Sequence, residues 1–159
     1  MPDPKRGAWT RERAMEKAVQ YLAVRSHTRW ELGRKLRACG VGEERIEETL
    51  DSCCARRYLD DRATAGQLAE EMIRKGYGPL KIRAHLRGKG VDGEVIDETL
   101  EALEASDGFW EAGRKSMQKK MPSLQRDANP ARRREKMFRF LVQRGFPKAM
   151  VMALVHEMT

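Results

Sequence analysis

Apolar positions along this chain of 159 residues fall three and four apart, in short runs separated by polar or glycine-bearing breaks. Such spacing puts them on one face of a helix, whose turn takes about 3.6 residues. Met15, Ala18, Val19 and Leu22 predict a first helix, Leu32 and Leu36 a second, and Ile46, Leu50 and Cys53 a third. Ala65, Leu68, Met72 and Ile73 predict a fourth, Ile82 and Leu86 a fifth, and Ile96, Leu100 and Leu103 a sixth. A helix with Phe109, Trp110, Gly113 and Met117 runs into Met121-Pro122, and a polar loop through Asp127, Asn129 and Pro130 follows. Helices resume with Met137, Phe138 and Leu141, then with Met150, Val151, Leu154 and Val155. No stretch alternates with period two, so no sheet is predicted.

The breaks have chemistry that suits helix ends. Thr28 and Glu31 form a capping box, in which each side chain satisfies an orphan amide of the first turn. Asp60 or Asp61 caps the fourth helix and Asp92 the sixth. Gly40, Gly90 and Gly145 can take the left-handed conformation that closes a helix. Gly76 and Gly78 are read as turn residues, and Pro79 as a first helical residue that gives up no hydrogen bond. Glu43 and Glu44 lie in the first turn of the third helix, where the helix dipole favours them.

The predicted helices repeat. Leu36, Arg37, Gly40, Val41, Glu44, Ile46, Glu48, Thr49 and Leu50 recur 50 positions later as Leu86, Arg87, Gly90, Val91, Glu94, Ile96, Glu98, Thr99 and Leu100. A fainter third copy puts Leu141, Gly145, Phe146 and Val151 in the places of Leu36, Gly40, Val41 and Ile46. The expectation is an all-α protein of three tandem three-helix repeats forming an elongated, curved body, since stacked repeats share a core along their length. The boundaries read as a flexible N-terminal segment over 1–12, then repeats over 13–59, 60–106 and 107–159.

Charge sharpens this picture. The net charge is +8, and the charged fraction of 35% exceeds the roughly 25% usual for globular chains. From Phe109 onward there are 12 Lys or Arg and 4 Asp or Glu, which leaves 20 of each before it. The whole excess lies in the last third, as expected of a surface that meets an acidic partner. Within the first two repeats the second helices are basic (Arg29, Arg34, Lys35 and Arg37, then Lys81, Arg83, Arg87 and Lys89). The third helices are acidic (Glu43, Glu44, Glu47, Glu48 and Asp51, then Asp92, Glu94, Asp97, Glu98 and Glu101). Two readings fit equally: mutual pairing of solvated faces, or functional stripes.

Little points to catalysis. Cys39, Cys53 and Cys54 are odd in number and lack Cys-x-x-Cys spacing, which argues against disulfides and zinc and for small core or boundary side chains. His27, His85 and His156 lack ligand spacing and read as ordinary helix residues. There is no Gly-rich phosphate loop and no nucleophile–base pair, so neither enzyme activity nor a cofactor or metal is expected. No apolar run of about 18 residues or signal peptide occurs, so the chain reads as cytoplasmic, with no membrane partner. Trp30 and Trp110 read as packing residues rather than base-stacking platforms; Trp9, before the first helix, reads as loose.

Four segments, in order, resemble the RecX family of bacterial recombination regulators. They are Arg29 to Leu36, Tyr58-Leu59-Asp60-Asp61, Arg74-Lys75-Gly76-Tyr77-Gly78-Pro79-Leu80-Lys81-Ile82-Arg83 with its continuation to Val91, and Leu141 with Arg144-Gly145-Phe146. Together they cover the chain from about Ala14 to Val155. Thr64 departs from the phenylalanine common in the family, which implies poorer packing between the first two repeats. The resemblance implies a monomer that binds the RecA recombinase in the groove of its filament on single-stranded DNA. It implies limits on filament growth, ATPase, strand exchange and repressor cleavage, with the DNA itself contacted weakly or indirectly.

Candidate filament contacts are Arg74, Lys75, Tyr77, Lys81, Arg83, Arg87 and Lys89. For Tyr77, packing at the start of the next helix is favoured over an exposed anchor. Candidate phosphate-facing residues are Arg132, Arg133, Arg134, Lys136, Arg139 and Arg144, of which Arg132, Lys136 and Arg139 can share one helix face. The competing readings are a helix-turn-helix-like or non-specific DNA-binding module, and an inert scaffold.

Overall fold

The structure is a computed structural model that describes residues 7–159. Among the described residues it contains helices and no strand: α1 (Arg11–Val24), α2 (Arg29–Ala38), α3 (Glu43–Ala55), α4 (Asp61–Arg74), α5 (Pro79–Gly88), α6 (Gly93–Ala105), α7 (Gly108–Leu124), α8 (Pro130–Gln143) and α9 (Lys148–Glu157). The all-α fold of three tandem three-helix units is as the spacing predicts. Helix α1 begins at Arg11, capped by Thr10, which accepts from the Arg13 amide. The last two residues of the segment 1–12 are therefore helical, and residues 1–6 of it lie outside the described residues.

Two compact units are present: the chain through Thr64 together with Lys89–Val91, and Ala65–Gly88 together with Asp92–Thr159. In the first, α1 packs on α2 and α3, and α2 on α3. Its core holds Ala14, Ala18, Leu32, Leu36, Val41, Ile46, Leu50, Cys53 and Leu59. In the second, α5 packs on α6, α6 on α7, and α7, α8 and α9 on one another. A core there holds Ala112, Met117, Leu124, Met137, Leu141, Phe146, Val151 and Leu154.

Most caps form as expected. Thr28 and Glu31 make both bonds of the capping box. Asp60 accepts from the Ala63 amide and Asp92 from Glu94; Asn129, read from the sequence only as a loop residue, also caps α8 by accepting from Ala131 and Arg132. Gly40 and Gly145 both have φ of 89°. Each is followed by an amide that reaches back five residues, Val41 to the Leu36 carbonyl and Phe146 to that of Leu141, as a Schellman cap requires. Val41 and Phe146 thereby enter the core.

Several expectations are corrected. Val19 is 42% exposed, because α1 buries the small side chains of Ala14 and Ala18 instead. In α4, Ala69 is fully buried while Leu68 is only half-buried. Pro122 does not end α7, which continues to Leu124; a proline in the last turn removes a single amide where the helix is about to finish. His27 is not helical but lies buried in the α1–α2 connection. Cys53 is buried and Cys39 half-buried, as core and boundary side chains should be, but Cys54 is exposed. Trp9 packs against the first core with the Arg13 guanidinium 4.3 Å from its ring. Trp30 is 44% exposed, with Arg34 stacked 4.7 Å from the ring.

Candidate functional site

Helix α4 closes on Gly76, whose φ of 83° is left-handed. The Tyr77 amide reaches back to the Met72 carbonyl at 3.1 Å. The chain then meets the end of α8 through two backbone bonds: the Gly78 amide donates to Arg144 O at 2.8 Å and the Leu80 amide to Gly145 O at 2.9 Å. Lys81 Nζ donates to Gln143 O at 3.3 Å, and Arg144 Nη1 to Lys75 O at 2.8 Å. Ser116 Oγ, from α7, donates to Gly76 O at 3.0 Å.

The glycines make this clasp possible. A Cβ on Gly78 would stand 2.6 Å from Gly145 O and 2.7 Å from Phe146 N, and one on Gly145 would stand 2.5 Å from Lys81 N. Gly78 is thus required for close backbone approach, a reason that turn chemistry does not supply. Tyr77 is half-buried beneath two cations, Arg144 Cζ at 4.9 Å and Lys81 Nζ at 5.8 Å from its ring.

The first unit holds a counterpart 50 positions earlier. Thr28, at the place of Gly78, donates its hydroxyl to Lys89 O at 2.5 Å. Gly90, φ 72°, lies against Trp30, where no Cβ would fit. Here charge joins the contact. Glu31 accepts from Lys89 Nζ at 2.9 Å, Arg25 Nη2 at 3.2 Å and its own cap amide, Thr28 N, at 3.0 Å. Burial opposes ionisation of Glu31, but these donors prevail and hold its pKa at about 2. Nearby, His27 has Nδ1 2.9 Å from Arg25 O and Nε2 2.8 Å from Lys35 Nζ. Since the ammonium has only protons to give, Nε2 accepts and Nδ1 donates. Burial above all lowers the pKa of this ring, which is held neutral.

Among the expected filament contacts, Arg74 and Arg87 are exposed, with no hydrogen bond or ion pair among the described residues. Lys75 pairs with Glu71 at 2.8 Å, Arg83 with Asp97 at 2.7 Å, and Lys89 with Glu31. On α8, Arg132 and Arg134 are exposed and make no ion pair among the described residues, although Arg132 lies near enough to Asp127 to help lower its pKa. Arg133 donates to Asp127 O at 3.0 Å. Lys136 pairs with the Asp127 carboxylate at 2.8 Å and lowers its pKa, and Arg139 pairs with Glu135 at 2.7 Å. The Arg132–Lys136–Arg139 strip is therefore partly neutralised from within.

Between the end of α4, α7 and the end of α8 lies a groove of about 670 Å³. Arg74, Lys75 and Arg144 line it together with Lys115, Lys119 and Lys120 of α7. The α7 lysines are absent from the sequence-based site. Part of their signal was available: Lys115 and Lys119, four apart, share a helix face. Among the described residues no cluster of His, Cys, Asp or Glu could hold a metal ion, and no helix is long and apolar enough to cross a membrane.

Profiles for the first, second and third three-helix domains of RecX match residues 14–53, 60–100 and 107–155. The chain is similar to the Regulatory protein RecX of Prosthecochloris aestuarii, 32% identical over 92% of this chain and 93% of the relative. It is similar also to that of Chlorobaculum tepidum, 36% identical over 84% and 80%. Among solved structures, the fold matches the crystal structure of RecX from Lactobacillus salivarius, with a TM-score of 0.83, 22% identity and coverage of 92% and 95%. Three consecutive domain matches and relatives of this identity over nearly the whole length establish that this chain belongs to the RecX family of regulatory proteins.

Proposed function

We propose that this chain binds the RecA recombinase in the groove of its filament on single-stranded DNA and limits filament extension. ATPase, strand exchange and coprotease activity fall as a consequence. The observation that carries this reading is the match to the three RecX domains, in order, between residues 14 and 155. The geometry agrees with a binding role. Tyr77 and Leu80, the latter 56% exposed, sit on a turn that backbone hydrogen bonds hold rigid. Exposed Arg74 and Lys81 flank them, so the surface offers an aromatic, an aliphatic and cations on fixed backbone, the composition of a binding hot spot. Arg132 and Arg134 on α8 face solvent and approach the strand phosphates. No catalytic role is assigned, and the protein acts as a monomer in the cytoplasm.

The test is ATP hydrolysis by the cognate RecA on single-stranded DNA, titrated with this protein. The expected result is loss of ATPase at protein levels well below those of RecA. Loss only at levels that coat the DNA means competition for the strand, and an unchanged rate removes RecA as the partner. A Tyr77→Ala/Leu80→Ala protein is expected to need at least about tenfold more protein for the same inhibition, in line with hot-spot truncations of about 2 kcal/mol.

A further inference from the structure

The second repeat keeps the acidic face of the first but not the arginines that pair with it. In the first repeat Arg29 holds both Glu47 and Asp51, and Arg45 holds Glu48. Fifty positions on, Pro79 and Val95 stand at the places of those arginines, and Glu104 stands at the place of Cys54. Arg83 still pairs with Asp97. Glu94, Glu101 and Glu104, however, are exposed and make no ion pair among the described residues. Positions 94, 97, 101 and 104 are three and four apart, so one outward stripe of α6 carries all four carboxylates.

The same unit bears a face of opposite sign. Lys119 of α7 is exposed, as is Arg126 just past the end of that helix, and neither makes an ion pair among the described residues. No carboxylate occurs from Gln118 to Arg126. Glu94 and Glu101 are seven residues apart, about 10 Å along a helix. Lys119 and Arg126 have the same separation, and Gln125 between them keeps helical backbone. The two faces match in sign and spacing, yet neither is satisfied within its own molecule.

Copies bound along one helical filament share its polarity, so neighbours meet through unlike faces, a heterologous contact that propagates without closing. We infer that α6 of one copy docks on α7 of the next when copies occupy successive places on a filament, which makes loading cooperative. This inference rests on the filament reading proposed above. The free chain stays a monomer, because a few exposed ion pairs are weak and screened by salt. Binding side by side supplies the effective concentration that the contact needs.

The experiment measures binding of the full chain, labelled at its N-terminus, to cognate RecA filaments assembled on single-stranded DNA with a non-hydrolysable ATP analogue. At low salt a bound copy is expected to raise the affinity of the next by about tenfold, as for two or three exposed ion pairs. In about 0.5 M salt that factor is expected to fall towards one. Reversing one face, by Glu101→Lys/Glu104→Lys or by Lys119→Glu/Arg126→Glu, is expected to abolish cooperativity. Reversing both faces in one chain, or mixing the two single-face variants in equal amounts, is expected to restore it, because opposite signs then meet again.

Parent loading without cooperativity, single-face variants that keep it, or failure of both restorations overturns the inference. Weaker binding at the lowest occupancy with cooperativity intact would assign the reversed face to the filament itself, which also overturns it. Absence of any binding to the filament is a different result: it removes the proposed function, and this inference with it.

Discussion

Glu31 gathers three donors in a half-closed space, and its acidity is the measurable trace of that arrangement. Its pKa is about 2, against an ordinary 4.5. A carboxylate depressed on folding contributes its full stability above the ordinary value and loses it as pH falls through the folded one. The parent is therefore expected to lose stability between about pH 4.5 and pH 2. Asp61, pushed up by burial although Arg29 donates its amide to it, has the opposite sign, which is why the comparison must be made against Glu31→Gln. That variant is expected to be less stable at neutral pH and to show a shallower acid limb in urea titrations run at a series of pH values. A parallel pair of limbs would show that Lys89, Arg25 and the cap amide do not hold this charge.

Gly78 gives a second residue-level test. Alanine there must push apart two backbones, at a cost of about 1–3 kcal/mol, whereas Gly88, with nothing within 4 Å of a Cβ, should accept alanine with no loss. Urea midpoints at unchanged m-value would separate the two. The sequence made Gly78 legible as a turn residue before Pro79. Its true constraint is the backbone at Gly145 and Phe146, a non-local fact that no local pattern encodes.

At the level of elements, nearly everything set by neighbouring residues could be read in advance. The capping box at Thr28, the caps at Asp60 and Asp92, and the left-handed glycines follow from orphan amides and carbonyls that every helix end must satisfy; the cap at Asn129 obeys the same rule, although the sequence there reads only as loop. Asn129 serves two amides, so Asn129→Ala is expected to destabilise the protein by about 1 kcal/mol, seen as a lower thermal midpoint. What could not be read depends on packing partners. Apolar spacing includes Val19, but the close approach of α1 to α3 selects Ala14 and Ala18. Proline at position 122 signals a stop, yet α7 continues to Leu124 and forgoes only the one amide that proline lacks. The α8 arginines were conspicuous as a run. The α7 lysines face a groove that exists only once α4, α7 and α8 have met.

At the level of the molecule, the sorting of charge within repeats has a structural use. Arg29 binds Glu47 at 2.7 Å and Asp51 at 2.8 Å, Arg37 binds Glu43, and Arg83 binds Asp97 at 2.7 Å. Basic second helices thus hold acidic third helices of the same repeat, and the pairing reading accounts for much of both stripes. The uncompensated charge is left to the last third of the chain, where the groove and α8 lie. One feature of the first unit reaches beyond the finished fold. Its core, from Ala14 to Leu59, is complete in sequence before Asp60, but Thr28 and Glu31 take their partners from Lys89–Val91, across an interval of chain that belongs to the other unit. Since synthesis runs from the N-terminus, a nascent chain emerging from the ribosome carries a closed hydrophobic core beside an open cap. Glu31 there is held only by Arg25 and its own helix, until Lys89 clears the exit tunnel and seals it.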